Sequence, residues 1–387
     1  MRLKTLRFFE FRNLRNAQIE LAPGINFFLG DNAQGKTNVL EALYLLGRGT
    51  SFRPTEPGSF LRTGAGNETG SEDRAPRAKI TGHFALKDFD ETVELILEPT
   101  KRFISVNGKR ANATDLARFV PLVLFSPESL SAIKEGPEQR RQLADDLVLT
   151  QAPRQAHLLA QHGRCLRARN RVLRELAKGD GDVEGLERTL MSLNSLYFLL
   201  CTHVTDARTD ALRTILPGFR EAMAFISGID HGDISVDYLI SGESAIEWRE
   251  SEIYDALCKR HRELAAQEIA AGASLVGPHK HDVRFLFHGK DSRFYCSQGQ
   301  QRALILSFKI AQIVYHQTVH QTYPMLLLDD VMSELDEKKR LGLMRFFEGT
   351  SAQILMTSTE ASCPVASGRN SFFSVVAGEV AGLDQPR

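Results

Sequence analysis

Gly30-Asp-Asn-Ala-Gln-Gly35-Lys36-Thr37 fits the spacing GxxxxGK[ST], a pattern built for holding phosphate. Its glycines let backbone N–H groups curl around phosphate oxygens, and the helix that follows adds its positive end. In such a loop Lys36 bridges the β- and γ-phosphates of a nucleotide and the Thr37 hydroxyl ligates Mg²⁺. Asp31, Asn32, Ala33 and Gln34 supply the backbone between the two glycines. An accidental glycine turn is the competing reading, and the flanks argue against it. The apolar run Ile25–Leu29 leads in as a buried strand, and apolar residues at 39, 40, 43 and 46 follow at helical spacing.

Such a loop needs an acid from a neighbouring strand. Met325-Leu-Leu-Leu-Asp329-Asp330 offers two at the end of an apolar run. Asp329 is expected to position Mg²⁺ through water, and Asp330, turned the other way along the strand, to polarise the attacking water as general base. A strand-end surface charge is the competing reading of either acid alone, and the phosphate loop argues against it. Ser297-Gln298-Gly299-Gln300 stands just ahead of an apolar helix, so Ser297 and the exposed N–H groups form a second anion-binding end. Taken by themselves, the same residues read better as a plain N-cap, and spacing does not say what anion would bind.

These groups must be carried by a mixed α/β frame. Residues 1–106 read mainly as strands, with period-two alternation at Leu3-Lys-Thr-Leu-Arg-Phe-Phe-Glu-Phe11 and an Asn107-Gly108 turn. Residues 63–73 are polar and glycine-rich, the profile of a surface loop. From 138 to 178 the chain has hardly a helix breaker. Then Leu186, Leu190, Leu193, Tyr197, Leu200, Val204, Ala207 and Ala211 form a heptad-like stripe, expected to pack helix on helix. A third helix is expected over about 245–270. Strands return after residue 275 with Val283-Arg-Phe-Leu-Phe287, a helix follows over about 300–318, and 325–328 and 353–357 are short apolar runs suited to buried parallel strands. The assembly expected is an α/β head made from both chain ends, residues 1–136 and 271–387, with an all-helical arm inserted at 137–270.

Composition bounds the rest. Of 387 residues, 42% are apolar and 25% charged, and 48 basic residues balance 48 acidic ones, so bulk charge draws no nucleic acid. The five cysteines have no CxxC spacing, which sets aside a zinc site and a disulfide framework. The N-terminus lacks an apolar leader core, and no apolar run reaches membrane-spanning length. A cytoplasmic protein without a membrane partner is expected.

The order of phosphate loop, Ser297-Gln-Gly-Gln300, Asp329-Asp330 and Ser333-Glu-Leu-Asp336 resembles the ABC-type ATPases of DNA repair. It is most similar to the RecF family, recombination mediators related to SMC heads. Further matching features are Phe8-Phe-Glu-Phe-Arg-Asn-Leu14, Phe125-Ser-Pro-Glu128, Gly277-Pro-His279 and Val376-Ala-Gly-Glu-Val380, so the likeness spans the chain. The resemblance implies a P-loop ABC-type head that binds ATP and Mg²⁺ and dimerises with ATP. It implies that Ser297, Gln298, Gly299 and Gln300 reach the γ-phosphate held by a second copy, with Ser297 catalytic beside Lys36 and Asp330. It also implies that Asp336 sits at the dimer seam. Where ABC ATPases carry a histidine after the next strand, this chain has Thr357-Ser-Thr359, so the Thr357 hydroxyl would sense the γ-phosphate and hydrolysis would be slow. Ser126 to Glu128 stands where the family's glutamine-bearing loop is expected. The implied partners are single-stranded or gapped duplex DNA, RecR and RecO, in recombinase loading, replication-fork maintenance and the SOS response.

For DNA, the densest basic stretch is Arg164-Cys-Leu-Arg-Ala-Arg-Asn-Arg-Val-Leu-Arg174. Arg167, Arg171 and Arg174 recur at i, i+4 and i+7, with Arg164 just before, and would track phosphates along one helix face. A solvated face with arginine stems over apolar neighbours explains the same pattern. Lys259-Arg-His-Arg262 is a smaller candidate, and Arg140-Arg141 reads equally as a structural pair. No interleaved aromatics accompany these clusters, so base stacking is not indicated. Rival functions are a transporter ATPase subunit, a monomeric P-loop kinase, and a nucleotide-gated binding protein with negligible turnover.

Overall fold

The computed structural model describes residues 1–53, 56, 58–62, 77–86, 89–179, 182–228, 234–359 and 370–383. The loop expected at 63–73 and Cys363 lie outside them. Strands β1 (Arg2–Phe9), β2 (Ala17–Glu20) and β3 (Ile25–Leu29) lead to helix α1 (Lys36–Arg48). Next come β4 (Ala78–Ala85), β5 (Asp90–Leu97), β6 (Arg102–Val106), β7 (Lys109–Ala111), α2 (Ala113–Phe119), β8 (Leu122–Phe125) and α3 (Pro127–Leu130). The middle holds α4 (Pro137–Gln151), α5 (Ala156–Lys178) and the long α6 (Val183–Ser227). It continues through β9 (Ile234–Ile240), β10 (Glu243–Ser244), α7 (Glu250–Ala271), β11 (Asp282–Phe287), β12 (Lys290–Asp291), α8 (Ser292–Tyr295) and α9 (Gln298–His320). The chain closes with β13 (Met325–Leu328), α10 (Glu337–Glu348), β14 (Ile354–Ser358), β15 (Ser371–Val376) and β16 (Glu379–Leu383).

Two compact units emerge: Met1–Leu130 with Phe225–Ser227 and Ile313–Arg387, and Ser131–Ala224 with Gly228–Gln312. The first contains a sheet ordered β16-β15-β3-β14-β13-β8, in which β15, β3, β14, β13 and β8 run parallel. Parallel strands covered on both faces need continuous apolar runs, and β13 and β14 are buried at every residue. Their carboxyl ends lie together, where ligands of open α/β sheets bind. An antiparallel sheet ordered β2-β1-β4-β5-β6-β7 completes the unit. Leu3, Leu6 and Phe8 of β1 share one apolar core with Leu40, Leu43 and Leu46 of α1, which fixes the helix that follows the phosphate loop.

In the second unit, the stripe along α6 is buried at Leu190, Tyr197, Leu200, Val204 and Ala211, as its heptad-like spacing requires. The breaker-poor stretch from 138 is interrupted at Ala152-Pro153, where α4 gives way to a 3₁₀ turn before α5, and Gly179 caps α5 with a φ of 69°. The third helix begins later than its apolar pattern indicates, at Glu250. Arg249 is the N-cap there, and the Glu252 side chain accepts from its backbone N–H. The stretch 137–270, expected to be all-helical, also contributes β9 and β10 to a four-stranded sheet ordered β10-β9-β11-β12, so residues 271–312 cluster with it through β9–β11 pairing. Phe219, Phe285 and Phe308 meet edge to face at 5.5–6.2 Å and close the core between sheet and helices.

Candidate functional site

In the first unit, β3 ends at Leu29 and α1 begins at Lys36, with Gly30 to Gly35 as the loop between. Gly35 has a φ of 114°, and a Cβ there would lie 2.8 Å from Asn13 Oδ1, so only glycine serves. Ala33 also takes a left-handed φ of 64°. Lys36 is buried, and its Nζ donates to Gly30 O at 2.5 Å and Asp31 O at 2.8 Å, holding the loop closed on itself. Burial pushes the Lys36 ammonium below its ordinary range, against the pull of Asp330, Asp31 and Asp329.

The acidic pair enters from β13. Thr37 Oγ1 donates to Asp329 Oδ1 at 2.9 Å, joining residues 292 positions apart. Thr357, buried in β14 between β3 and β13, brings a second hydroxyl to Asp329 Oδ1 at 2.9 Å and accepts the Asp330 N–H at 2.8 Å. Burial pushes the Asp329 carboxyl up, and the Thr37 and Thr357 hydrogen bonds partly offset it. A hydroxyl and a carboxylate oxygen converging this way suit a hard dication that completes its shell with water and phosphate oxygens. Asp330 does not continue the strand with its side chain alternating outward. Its φ of 49° is left-handed, where it opens a 3₁₀ turn, and its carbonyl accepts the Ser333 hydroxyl.

Asn32, Ala33, Gly35, Lys36, Thr37, Asp330 and Thr357 line one pocket of about 200 Å³, together with Asn38 and Arg53. Spacing did not point to Arg53. It is held by the buried Glu41 at 2.5 Å, and the same carboxylate takes Arg12 at 2.7 Å and the Ser51 hydroxyl at 2.6 Å. Burial alone would raise the Glu41 carboxyl, but the Arg12 and Ser51 hydrogen bonds and the Arg53 charge hold it below the usual range. A basic pocket of about 480 Å³ adjoins, sharing Asn38 and Arg53 and including Arg12 and Arg62. Glu128, after β8, lies close enough to oppose ionisation of Asp329.

In the second unit, Ser297 caps α9. Its hydroxyl accepts the Gln300 N–H at 3.2 Å, while Gln300 Oε1 accepts the Ser297 N–H at 2.8 Å: a capping box. Ser297 and Gln298 are exposed. The buried Gln301 amide reaches back to Ser292 O at 2.9 Å and Cys296 O at 3.3 Å, tying the approach to the motif. Asp336, in the first unit, is the N-cap of α10, accepting Lys339 N–H at 3.0 Å.

The candidate DNA residues divide. Arg164, Arg167, Arg171 and Arg174 are all exposed on α5. Lys259, Arg260 and Arg262 are exposed on α7, but Arg260 is paired with Glu263 at 2.8 Å and His261 turns to Glu268 at 2.9 Å. Arg140 is structural: buried, it takes Asp282 in a two-pronged bridge at 2.8 and 3.0 Å. The Gly277-Pro-His279 loop is tied down by Tyr197 OH to Val276 O at 2.7 Å and Arg208 to Pro278 O at 2.9 Å.

The family profile for the RecF/RecN/SMC N-terminal domain matches residues 2–377. "DNA replication and repair protein RecF" of Heliobacterium modesticaldum is 32% identical over 384 residues, covering 98% of this chain and 99% of that one. The protein of the same name from Syntrophotalea carbinolica is 34% identical over 354 residues, 91% of each chain. The chain belongs to the RecF family. Among solved structures, the ATP form of the recombination mediator protein RecF in the RecFOR pathway superposes with a TM-score of 0.82. It is 28% identical and covers 99% of this chain and 97% of that one. An Smc head domain from Pyrococcus furiosus, at 16% identity and a TM-score of 0.53, shares the fold, with coverage of 98% and 96%. The RecF-family chain therefore has an ABC-type ATPase head and the general role of a RecF DNA replication and repair protein. Among its described residues, no helix is long and apolar enough to cross a membrane.

Proposed function

We propose that this chain is a slow, DNA-dependent ATPase whose ATP site is shared between two copies. ATP closes the homodimer on single-stranded or gapped duplex DNA, and hydrolysis releases it. The observation that carries the reading is the 2.9 Å approach of Thr37 to Asp329 in one pocket with Lys36, Asp330 and Thr357. In it the Gly30–Gly35 backbone and Lys36 grip the phosphates, and Asp330 orients and deprotonates the attacking water. Thr37 and Asp329 are the residues to hold Mg²⁺, which would neutralise charge on the β- and γ-phosphate oxygens. Thr357 holds both acids in place and turns its hydroxyl towards the same pocket. Ser297, Gln298, Gly299 and Gln300 cap a helix whose N-terminus suits the γ-phosphate bound by the other copy.

The energy of binding goes into a change of state, so turnover need not be fast. The head would draw on residues 1–136 and 271–387, of which 271–312 pack with the inserted stretch 137–270 through the β9–β11 pairing. By family likeness the partners are RecR and RecO, in the cytoplasm, assisting recombinase loading and the SOS response. Shared sites make a specific demand on mixtures. Lys36→Met and Ser297→Arg should each abolish ATP-dependent DNA binding and hydrolysis, and a mixture of the two should recover activity that neither has alone. A mixture as inactive as its parts overturns the shared site. A second reading, nucleotide-gated binding without turnover, is favoured by the threonine at 357: Asp330→Asn would then leave DNA release unchanged.

A further inference from the structure

The tip of the β15–β16 hairpin bears directly on the phosphate loop. Ala377 and Gly378 both take positive φ, 47° and 78°, the geometry of a tight two-residue hairpin turn. That turn aims two successive N–H groups the same way. Ala377 N–H donates to Gln34 Oε1 at 2.6 Å, and Gly378 N–H donates to Gln34 O at 2.9 Å. Gly378 O in turn accepts the Arg15 N–H at 2.7 Å. One glycine thus joins the phosphate loop to the loop after β1, whose Asn13 lies against Gly35.

The fit leaves no room for substituents. A Cβ on Gly378 would lie 1.9 Å from Asn13 O, and a Cβ on Gly30 would lie 2.2 Å from Val375 O. Backbone meets backbone at both places, so neither clash can be relieved by turning a side chain. The hairpin is far from the acidic pair in its chemistry, carrying no group that touches a phosphate or a metal in the arrangement described above. Its N–H groups are spent on Gln34, and Gln34 is the residue before Gly35 and Lys36.

We propose that Ala377 and Gly378 are positioning residues, a latch that fixes Gln34 and through it the curl of the phosphate-binding backbone. The proposal rests on the nucleotide reading of the pocket and adds a C-terminal element to it. A pre-set loop meets the phosphates without further ordering, so loss of the latch is felt in nucleotide affinity more than in the chemical step.

The test uses the full chain, with Mg²⁺-ATP for kinetics and a fluorescent ATP analogue for binding. In Gly378→Ala, KM for ATP should rise about tenfold while kcat at saturating ATP stays within about twofold, the size expected for one or two backbone hydrogen bonds. Ala377→Gly keeps both N–H donors and should retain wild-type affinity. Gly382→Ala on the same hairpin has open space around it and controls for general disturbance of the strand pair. If Gly378→Ala does not fold, hydrogen exchange in the wild-type chain decides: the Ala377 and Gly378 amides should be protected, and more so with a non-hydrolysable ATP analogue. Unchanged KM in Gly378→Ala, or amides exchanging as a free hairpin tip, overturns the latch. Should the wild-type chain fail to bind ATP, with Lys36→Met no different, the nucleotide reading itself falls.

Discussion

Arg169 Nη2 lies 2.6 Å from Glu268 Oε2, both side chains almost wholly buried, while its neighbours Arg167 and Arg171 face solvent. The guanidinium also takes Ser274 Oγ at 2.7 Å and Asn194 Oδ1 at 2.8 Å, and stacks over Tyr197 at 4.9 Å. A single arginine in the basic run of α5 is thus a core residue of the second unit. Removing one partner of a buried pair leaves the other charge unpaired, so Arg169→Ala should destabilise this unit by about 3–5 kcal/mol. Arg167→Ala should stay within about 0.5 kcal/mol. Urea unfolding of both variants, followed by circular dichroism, checks the contrast.

Thr37 and Asp329 should act on one metal. Asp329→Asn keeps the shape and removes the charge, and Thr37→Val removes the hydroxyl. Each is expected to raise the Mg²⁺ concentration needed for half-maximal ATP hydrolysis by about 10–100-fold, the usual scale for groups that orient a bound metal. Titrating Mg²⁺ at fixed ATP measures it. A variant whose Mg²⁺ dependence matches wild type would remove that residue from the metal's surroundings.

Much of this site was legible because its chemistry is local in the chain. Gly30 to Thr37 sits between a five-residue apolar strand and an amphipathic helix, and Asp329 ends an apolar run. What spacing could not reach depends on packing. Arg53 enters the pocket only because Glu41, on the buried side of α1, gathers it with Arg12. At Ser297 the residues alone favour a helix cap, although cap and anion site use the same N–H groups; the capping box with Gln300 occupies one of them here. Asp330 was expected to follow strand alternation, but β13 stops at Leu328 and the left-handed turn redirects it. β9 and its pairing with β11 went unread because the two strands are joined by residues far apart in sequence.

Acid should weaken the second unit in a defined window. Burial holds the His162 imidazole at about 4, against 6.5 for the free side chain, with Arg208 and His279 adding to the shift. Unfolding frees it to take a proton. Above pH 6.5 both states are neutral there and nothing is lost; as pH falls towards 4 the unfolded chain gains protons that the folded one refuses. Stability should therefore decline between pH 6.5 and 4.5, by about 2 kcal/mol from this residue. His162→Phe keeps the ring beside Tyr197 and should flatten that part of the profile. Glu268, held near 2 by His261 and Arg169 despite its burial, loses its contribution only at lower pH, below about 4.5. Urea midpoints at pH 7, 5.5 and 4.5 follow His162, and a further point at about pH 3 brings in Glu268.

The exposed arginines of α5 make the sharpest prediction about DNA. Arg164, Arg167, Arg171 and Arg174 sit on a helix whose other face is committed to packing, with Cys165, Arg169 and Leu173 buried. Net charge is zero, so any affinity for a phosphate backbone has to come from such a local row. Each phosphate contact releases counterions and steepens the dependence of affinity on salt by about one unit of log–log slope on duplex DNA. If the row binds DNA, replacing all four by alanine should flatten the slope by about three to four and weaken binding similarly for every sequence tested. ATP hydrolysis without DNA should be unaffected, because none of the four lines the nucleotide pocket. An unchanged slope in fluorescence-anisotropy titrations at two salt concentrations would leave the row as a solvated face, and the DNA surface would then have to be sought elsewhere on the protein.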